Sequence, residues 1–312
     1  MAETVGSGTV GGESSGGEPS GRSRAQTGES GHTRDLNRPE APDPLRSPVV
    51  DSHCHLDIED GETPLGVDEA LARATEVGVT RVVQIGCDLP SARWSVKMAR
   101  THAGVWAGVG LHPNEAPRLQ IDHGDEALDA AYAQIDELVA HDEVRGVGET
   151  GLDFFRTGES GRGIQEASFR RHITMAKKYD KALIIHDRDA HYDVIRVLED
   201  EGAPRLVVFH CFSGDADMAR YCSERGWYVS FAGVLTFKNA QSLRDACKAV
   251  PLDRILVETD APFLTPVPYR GRPNASYLIP LTVRAMAQVH GVDETVIAEN
   301  VWTNSESVFG PL

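Results

Sequence analysis

Two histidines, His53 and His55, stand two residues apart just after the apolar run Pro48, Val49, Val50. On a β-strand, residues i and i+2 share a face, so both imidazoles would converge where the strand ends, a pairing suited to a metal ion. Groups of the same chemistry recur at the ends of other apolar runs. His112 follows one in GLHPN, His186 and His210 end two more, Glu149 and Asp153 lie in GVGETGLD, and Glu258 and Asp260 in VETDAP. Imidazole and carboxylate together suit divalent Zn, Mn, Fe or Ni, whereas carboxylates and carbonyls alone point to Mg or Ca. His53, His55, His186 and His210 with Glu149 and Asp260 can serve two ions, with a carboxylate between them and a water or hydroxide as nucleophile, as in two-metal hydrolases.

Other residues of the same rim have both a chemical and an ordinary reading. Asp153 and Glu258 are either ligands or carboxylates that orient ligand histidines. His112 contacts substrate or caps a loop. Arg188 in HDRDA and Lys238 in TFKNA bind phosphate or simply start helices. Ser213, after His210, is expected near a helix N-cap.

Such a rim needs a scaffold that brings many strand ends together. From residue 48 onward, Val- and Ile-rich runs alternate with amphipathic stretches, the rhythm of repeated βα units on a parallel sheet. Eight runs are found near 48–52, 80–86, 104–110, 144–148, 182–186, 205–210, 227–231 and 254–258. Between them helical spacing occurs, as in Phe169, Ile173 and Ala176. This predicts a single α/β domain, a TIM-like (β/α)8 barrel over 48–312, with an open doubly wound sheet as the alternative. In both, reactive groups gather at the C-terminal strand ends. Five of the twelve histidines fall there. Of the rest, His32 is in the N-terminal stretch, and His102, His123, His141, His172, His191 and His290 are expected to face solvent on helices or at their edges.

The 312 residues, 40% of them hydrophobic, are enough for a full core. Residues 1–47 hold nine Gly and seven Ser and few large apolar side chains, a composition expected to form a disordered tail. They lack a secretory h-region, and no run is long enough to span a bilayer, so a cytoplasmic location is expected, with no membrane partner. The cysteines, five in number and never spaced CxxC, are expected to be reduced thiols. A net charge of −16 gives no basic footprint for nucleic acid. Two divalent ions would nonetheless make the pocket itself positive.

GVGETG at 146–151 matches the dinucleotide fingerprint GxGxxG, but Glu149 would meet the pyrophosphate, and the interval that follows is helical. Neither a P-loop nor a GxSxG elbow occurs. A non-catalytic metal-binding scaffold is the competing class, and it would require a broken ligand set.

Taken together, DSHCHLD, GLHP, GETGLD, IHDRDA, HCFSG, SFAGVLTFKNA and VETDAPFLTPVPYRGRPN resemble the TatD-type metal-dependent deoxyribonucleases of the amidohydrolase superfamily, from about Val49 to the C-terminus. The resemblance implies a TIM-like barrel, two divalent ions (Mg, Mn or Zn), and hydrolysis of DNA phosphodiesters, often as a 3′–5′ exonuclease. It places the family's ligands on His53, His55, Glu149, His186, His210 and Asp260. One ion falls to His53, His55, Glu149 and Asp260 and the other to Glu149, His186 and His210. Asp260 and Glu149 then carry the catalysis, with Asp260 accepting the proton of the attacking water. The expected partner is DNA, single-stranded or with frayed ends, and no obligate protein partner is called for. A D-aminoacyl-tRNA deacylase, or another ester hydrolase, could use the same site. Cys54, between the two histidines, should point away and serve packing.

Overall fold

The computed structural model describes residues 22–27 and 33–310. Its strands are β1 (Arg22–Ser23), β2 (Val49–Cys54), β3 (Ile58–Glu59), β4 (Val79–Gly86), β5 (Val105–Val109), β6 (Val144–Asp153), β7 (Ala182–Arg188), β8 (Val207–Phe209), β9 (Tyr228–Phe231) and β10 (Ile255–Val257). Eight of them, β2 and β4 to β10, form one sheet in chain order with every pairing parallel. Each expected apolar run is one of these strands, and helices alternate with them around a nearly closed TIM-like barrel. Parallel strands are covered on both faces, which is why they read as near-continuous Val and Ile.

Two apolar layers follow. Most of the core lies between strands and helices. A smaller cluster, including Val50, Val83, Ile85, Ala182, Ile184, Val208 and Leu256, fills the barrel. Trp106 and Tyr228, near the starts of their strands, join it with Val308 and Phe309 of the C-terminal helix Glu294–Phe309. That end is plugged with apolar side chains, so polar groups collect at the other.

In the helix Glu159–Tyr179, Phe169, Ile173 and Ala176 are buried as their spacing predicts. His172 is buried too, with no exposed surface, which corrects the solvent-facing reading. It completes the i, i+3, i+4, i+7 stripe with those three residues. Its Nδ1 faces the Ser168 carbonyl at 2.8 Å, and its Nε2 accepts the Leu111 N–H at 3.0 Å. The helix Ala216–Glu224 is capped by Asp215, whose Oδ1 accepts the N–H groups of Asp217 and Met218. Ser213 instead donates to the Asp187 carbonyl.

The fingerprint-like glycines answer to crowding between strands. Gly148 has φ +143° and a Cβ there would lie 2.3 Å from the Ile184 carbonyl oxygen; Gly151 has φ +132° and would meet that of His186 at 2.1 Å. The β6–β7 register shifts between Val147 and Thr150, which lets Glu149 leave the ladder.

The sheet is least continuous where β2 and β10 meet. Across this seam run a single bridge, Cys54 to Ala261, and the bonds Asp260 N–H to His53 O (2.9 Å) and His55 N–H to Ala261 O (2.8 Å). Ser52 adds a hydroxyl bond to the Val257 carbonyl at 3.0 Å.

The N-terminal stretch departs from the expected disordered tail wherever it is described; residues 1–21 and 28–32 lie outside the described residues. β1 pairs in parallel with β3. Arg22 binds Asp57, and Arg34 grips Asp60 with two bonds of 2.9 and 2.7 Å. Tyr277 donates to the Pro39 carbonyl at 2.8 Å, Arg284 donates to that of Asp43 at 2.8 Å, and Leu45 is buried in the core. Composition misleads here because charge-assisted bonds from arginine to folded loops, which apolar content does not register, help to hold the segment down.

Candidate metal centre

At the open end of the barrel the strands deliver their polar residues to one point. β2 supplies His53, with His55 one residue past its end; β6 supplies Glu149 and Asp153, and β7 supplies His186. His210 follows β8 directly, and Glu258 and Asp260 follow β10. The Nε2 atoms of His53 and His55 lie 3.3 Å apart. Each is 3.7 Å from Glu149 Oε1, and Asp260 Oδ1 is 3.7 Å from His53 and 3.4 Å from His55. The other oxygen of Glu149, Oε2, faces the opposite way. It is 2.8 Å from His210 Nε2 and 3.1 Å from His186 Nδ1, and those two nitrogens are 3.3 Å apart. The six residues expected as ligands therefore form two sets sharing one carboxylate.

For His55 and His210 a hydrogen bond at the far side of the ring fixes which nitrogen is free. His55 Nδ1 is 3.2 Å from the Ile85 carbonyl, so it carries the proton and leaves the Nε2 lone pair toward the centre. His210 Nδ1 faces Glu258 Oε1 at 3.3 Å with the same result. His186 Nε2 lies 3.5 Å from Asp153 Oδ2, turning Nδ1 inward. Asp153 and Glu258 thus sit behind the rings of His186 and His210, on the side away from Glu149. Glu258 also accepts the Cys211 N–H at 2.7 Å.

Burial alone would push Glu149 up, but the imidazoles of His210, His112 and His186 beside it hold it well below the usual carboxylate range. Asp260 is likewise lowered: burial opposes, while the neighbouring imidazoles of His55, His53 and His210 prevail. Burial and the neighbouring His210 push His53 down. His210 moves up against its burial because Glu149 and Glu258 favour its cation.

The donor set fits divalent cations. Imidazole nitrogens and ionised carboxylates converge, among the described residues no Lys or Arg pairs with Glu149 or Asp260, and the ring of His53 stacks on that of His210 at 3.9 Å and 10°. Groupings with ligand atoms within 4.8 Å of one another include His53, His55, Glu149; His53, His210, Asp260; and Glu149, His186, His210.

His112, Asp153 and His186 meet the same distance test. His112 is nevertheless set up as a donor: its Nδ1 accepts the Asn114 N–H at 3.1 Å, so the proton sits on Nε2, 4.0 Å from Glu149 Oε2. Burial pushes its pKa down to about 3, so the ring stays neutral. Arg188 ends β7 and stacks its guanidinium 3.8 Å over the Phe155 ring, which is 60% exposed. Among the described residues no carboxylate pairs with Arg188. Lys238 is exposed in the loop after β9 and is not drawn into the cluster. Cys54 is buried, its thiol toward the Val83 carbonyl at 3.7 Å.

Sequence reasoning gave no role to several residues that matter here. Asp51 accepts the Thr259 hydroxyl at 2.6 Å and N–H at 2.9 Å, and the His53 N–H at 3.3 Å, so it ties the His53 and Asp260 sides of the seam together. Burial raises it to about 6. Its alternation with His53 and His55 was the available signal. Asn274 binds the carbonyls of Thr259 and Phe263, and Cys87 places its thiol 3.2 Å from Glu149 Oε1. Neither position is marked by spacing or composition.

Comparison with known proteins agrees with this geometry. A family model described as TatD related DNase matches residues 50–310. The chain is 41% identical over 266 residues to the uncharacterized metal-dependent hydrolase TatD of Mycobacterium tuberculosis, covering 84% of this chain and 98% of that one. It is 37% identical over 262 residues to the uncharacterized metal-dependent hydrolase YabD of Bacillus subtilis, again with 84% and 98% covered. The crystal structure of YjjV, a TatD homologue from Escherichia coli, superposes with a TM-score of 0.75 at 26% identity, over 85% of this chain and 98% of the other.

Proposed function

Since this chain belongs to the TatD-related DNase family and is a metal-dependent hydrolase, we propose that it cleaves DNA phosphodiester bonds with two divalent ions (Mg, Mn or Zn), from a 3′ terminus that is single-stranded or frayed. The observation that carries this reading is the division of Glu149, with one oxygen turned to His53 and His55 and the other to His186 and His210. Ions held there would polarise a phosphoryl oxygen and lower the pKa of water.

The chain's own groups supply the rest. Asp260 is the more solvent-accessible ligand carboxylate, its side chain 15% exposed against 5% for Glu149, and it is held ionised. It serves as acceptor for the proton of an attacking water. His112 offers a neutral Nε2–H to a phosphate oxygen. Arg188 adds a guanidinium free of any carboxylate among the described residues, backed by an exposed aromatic face on which a base can stack. These features favour a nucleic acid over a small ester.

The test is parallel incubation of metal-reconstituted protein with end-labelled single-stranded DNA, RNA and a D-aminoacyl-tRNA, with Asp260→Asn as control. A ladder from the 3′ end of DNA that the control abolishes is expected. Release of amino acid without DNA cleavage would overturn the proposal.

A further inference from the structure

The matched family region begins at residue 50, yet the segment before it reaches the barrel's open end. Arg24 is the innermost contact. Its side chain is 2% exposed; the guanidinium lies 3.2 Å from Asp60 Oδ2, donates to the Pro262 carbonyl, and sits 5.5 Å from the centre of the Phe263 ring. Arg34, which grips the same Asp60, donates through Nε to the Gly271 carbonyl at 2.9 Å. One carboxylate directly after β3 thus gathers two guanidinium groups that pin two points of the loop after β10.

Those points adjoin the ligands. Phe263 donates its N–H to the Asp260 carbonyl at 2.8 Å, and its ring stands edge-on to His55 at 6.2 Å and 70°. Asp260 itself has φ +53°, a left-handed conformation that a non-glycine residue keeps only where its surroundings impose it. The backbone ladder does not impose it, because β2 and β10 share so few bonds here.

We propose that Arg24 is a positioning residue for the His55 and Asp260 side of the metal centre. It acts through Pro262 and Phe263, so that the N-terminal segment completes a site the barrel alone leaves loosely held. The proposal rests on the reading of this cluster as a metal centre.

The test is a calorimetric Mn²⁺ titration of chelator-stripped full-length protein, alongside the melting temperature without metal. Wild type is expected to take up two ions. Arg24→Gln should weaken one of them at least tenfold and leave the other unchanged. Phe263→Leu, which keeps an apolar side chain but loses the ring, should weaken the same ion and serves if Arg24→Gln does not fold. Arg284→Gln is the control, since Arg284 holds Asp43 of the same segment from the helix Ile279–His290. It should lower the metal-free melting temperature comparably without changing ion affinity. Wild-type affinities in both Arg24→Gln and Phe263→Leu, or equal weakening by Arg284→Gln, would overturn the positioning role. A wild type that takes up no ion would overturn the metal-centre reading together with it.

Discussion

Glu149, His186 and His210 stand on or just past three neighbouring strands whose parallel ladders run up to the ligands, with pairs such as Gly151 to His186 and Ile185 to Phe209. His53, His55 and Asp260 face one another across the place where the ladder nearly stops. There, side chains do the joining: Asp51 to Thr259, Asn274 to Thr259 and Phe263, Arg24 to Asp60 and Pro262. A ligand set can therefore be positioned in two physically different ways. Repetitive backbone bonding fixes one half cheaply, whereas the other depends on individual polar contacts, each removable by a single substitution.

The sharpest way to break this comparison is to remove the residue common to both halves. Glu149→Ala should lower hydrolysis by about a thousandfold or more while circular dichroism and melting without metal stay close to wild type. Retained activity would mean that the two halves do not work as one centre.

The halves should also answer oppositely to acid. On the ladder side, His172 is buried and neutral, its pKa lowered to about 4 by desolvation from an ordinary 6.5. An unfolded chain binds that proton more readily. Its contribution is therefore full above pH 6.5 and fades as pH falls toward 4, by about 3 kcal/mol. On the seam side, Asp51 is raised from 3.8 to about 6, so its contribution is full below 3.8 and fades as pH rises through 6. Urea unfolding of chelator-treated His172→Gln at pH 7 and pH 4.5 should show a weaker loss toward acid than wild type. An unchanged pH slope would remove His172 from the account.

The smallest effect sharpens the seam itself. Thr259→Val keeps shape but removes the hydroxyl that Asp51 accepts. It should cost about 1–2 kcal/mol of stability and weaken ion binding about tenfold, read by calorimetry. A variant that binds ions like wild type would show that the other bonds of the seam suffice without that hydroxyl.

The eight strands were legible because burial on both faces leaves an uninterrupted Val and Ile signature, and the six converging residues because their types recur at strand ends. Asp51 stood beside the histidine pair but was given no role for a different reason: its partner Thr259 is 208 residues away, and sequence spacing carries no such pairing. His172 was readable, since it lies on the same helical stripe as Phe169, Ile173 and Ala176, but a polar residue type outweighed its position. The N-terminal arginines escaped because judging order by apolar content ignores guanidinium groups that find carboxylates and carbonyls on folded loops. The glycines of GVGETG show the converse hazard, rightly set aside from the sequence: a motif satisfied where strand crowding demands glycine.

The seam also joins the two ends of the chain in time. During synthesis His53 and His55 emerge long before Asp260, and the contacts that close β2 onto β10 are among the most distant in sequence. Loop-closure entropy makes such contacts costly to form early. The β4 to β9 ladder can assemble from neighbours as they appear, whereas the His53, His55 and Asp260 half must wait for nearly the whole polypeptide. A nascent chain therefore carries the histidine pair without its carboxylate partner, and only a chain extended past Asp260 can assemble the whole cluster.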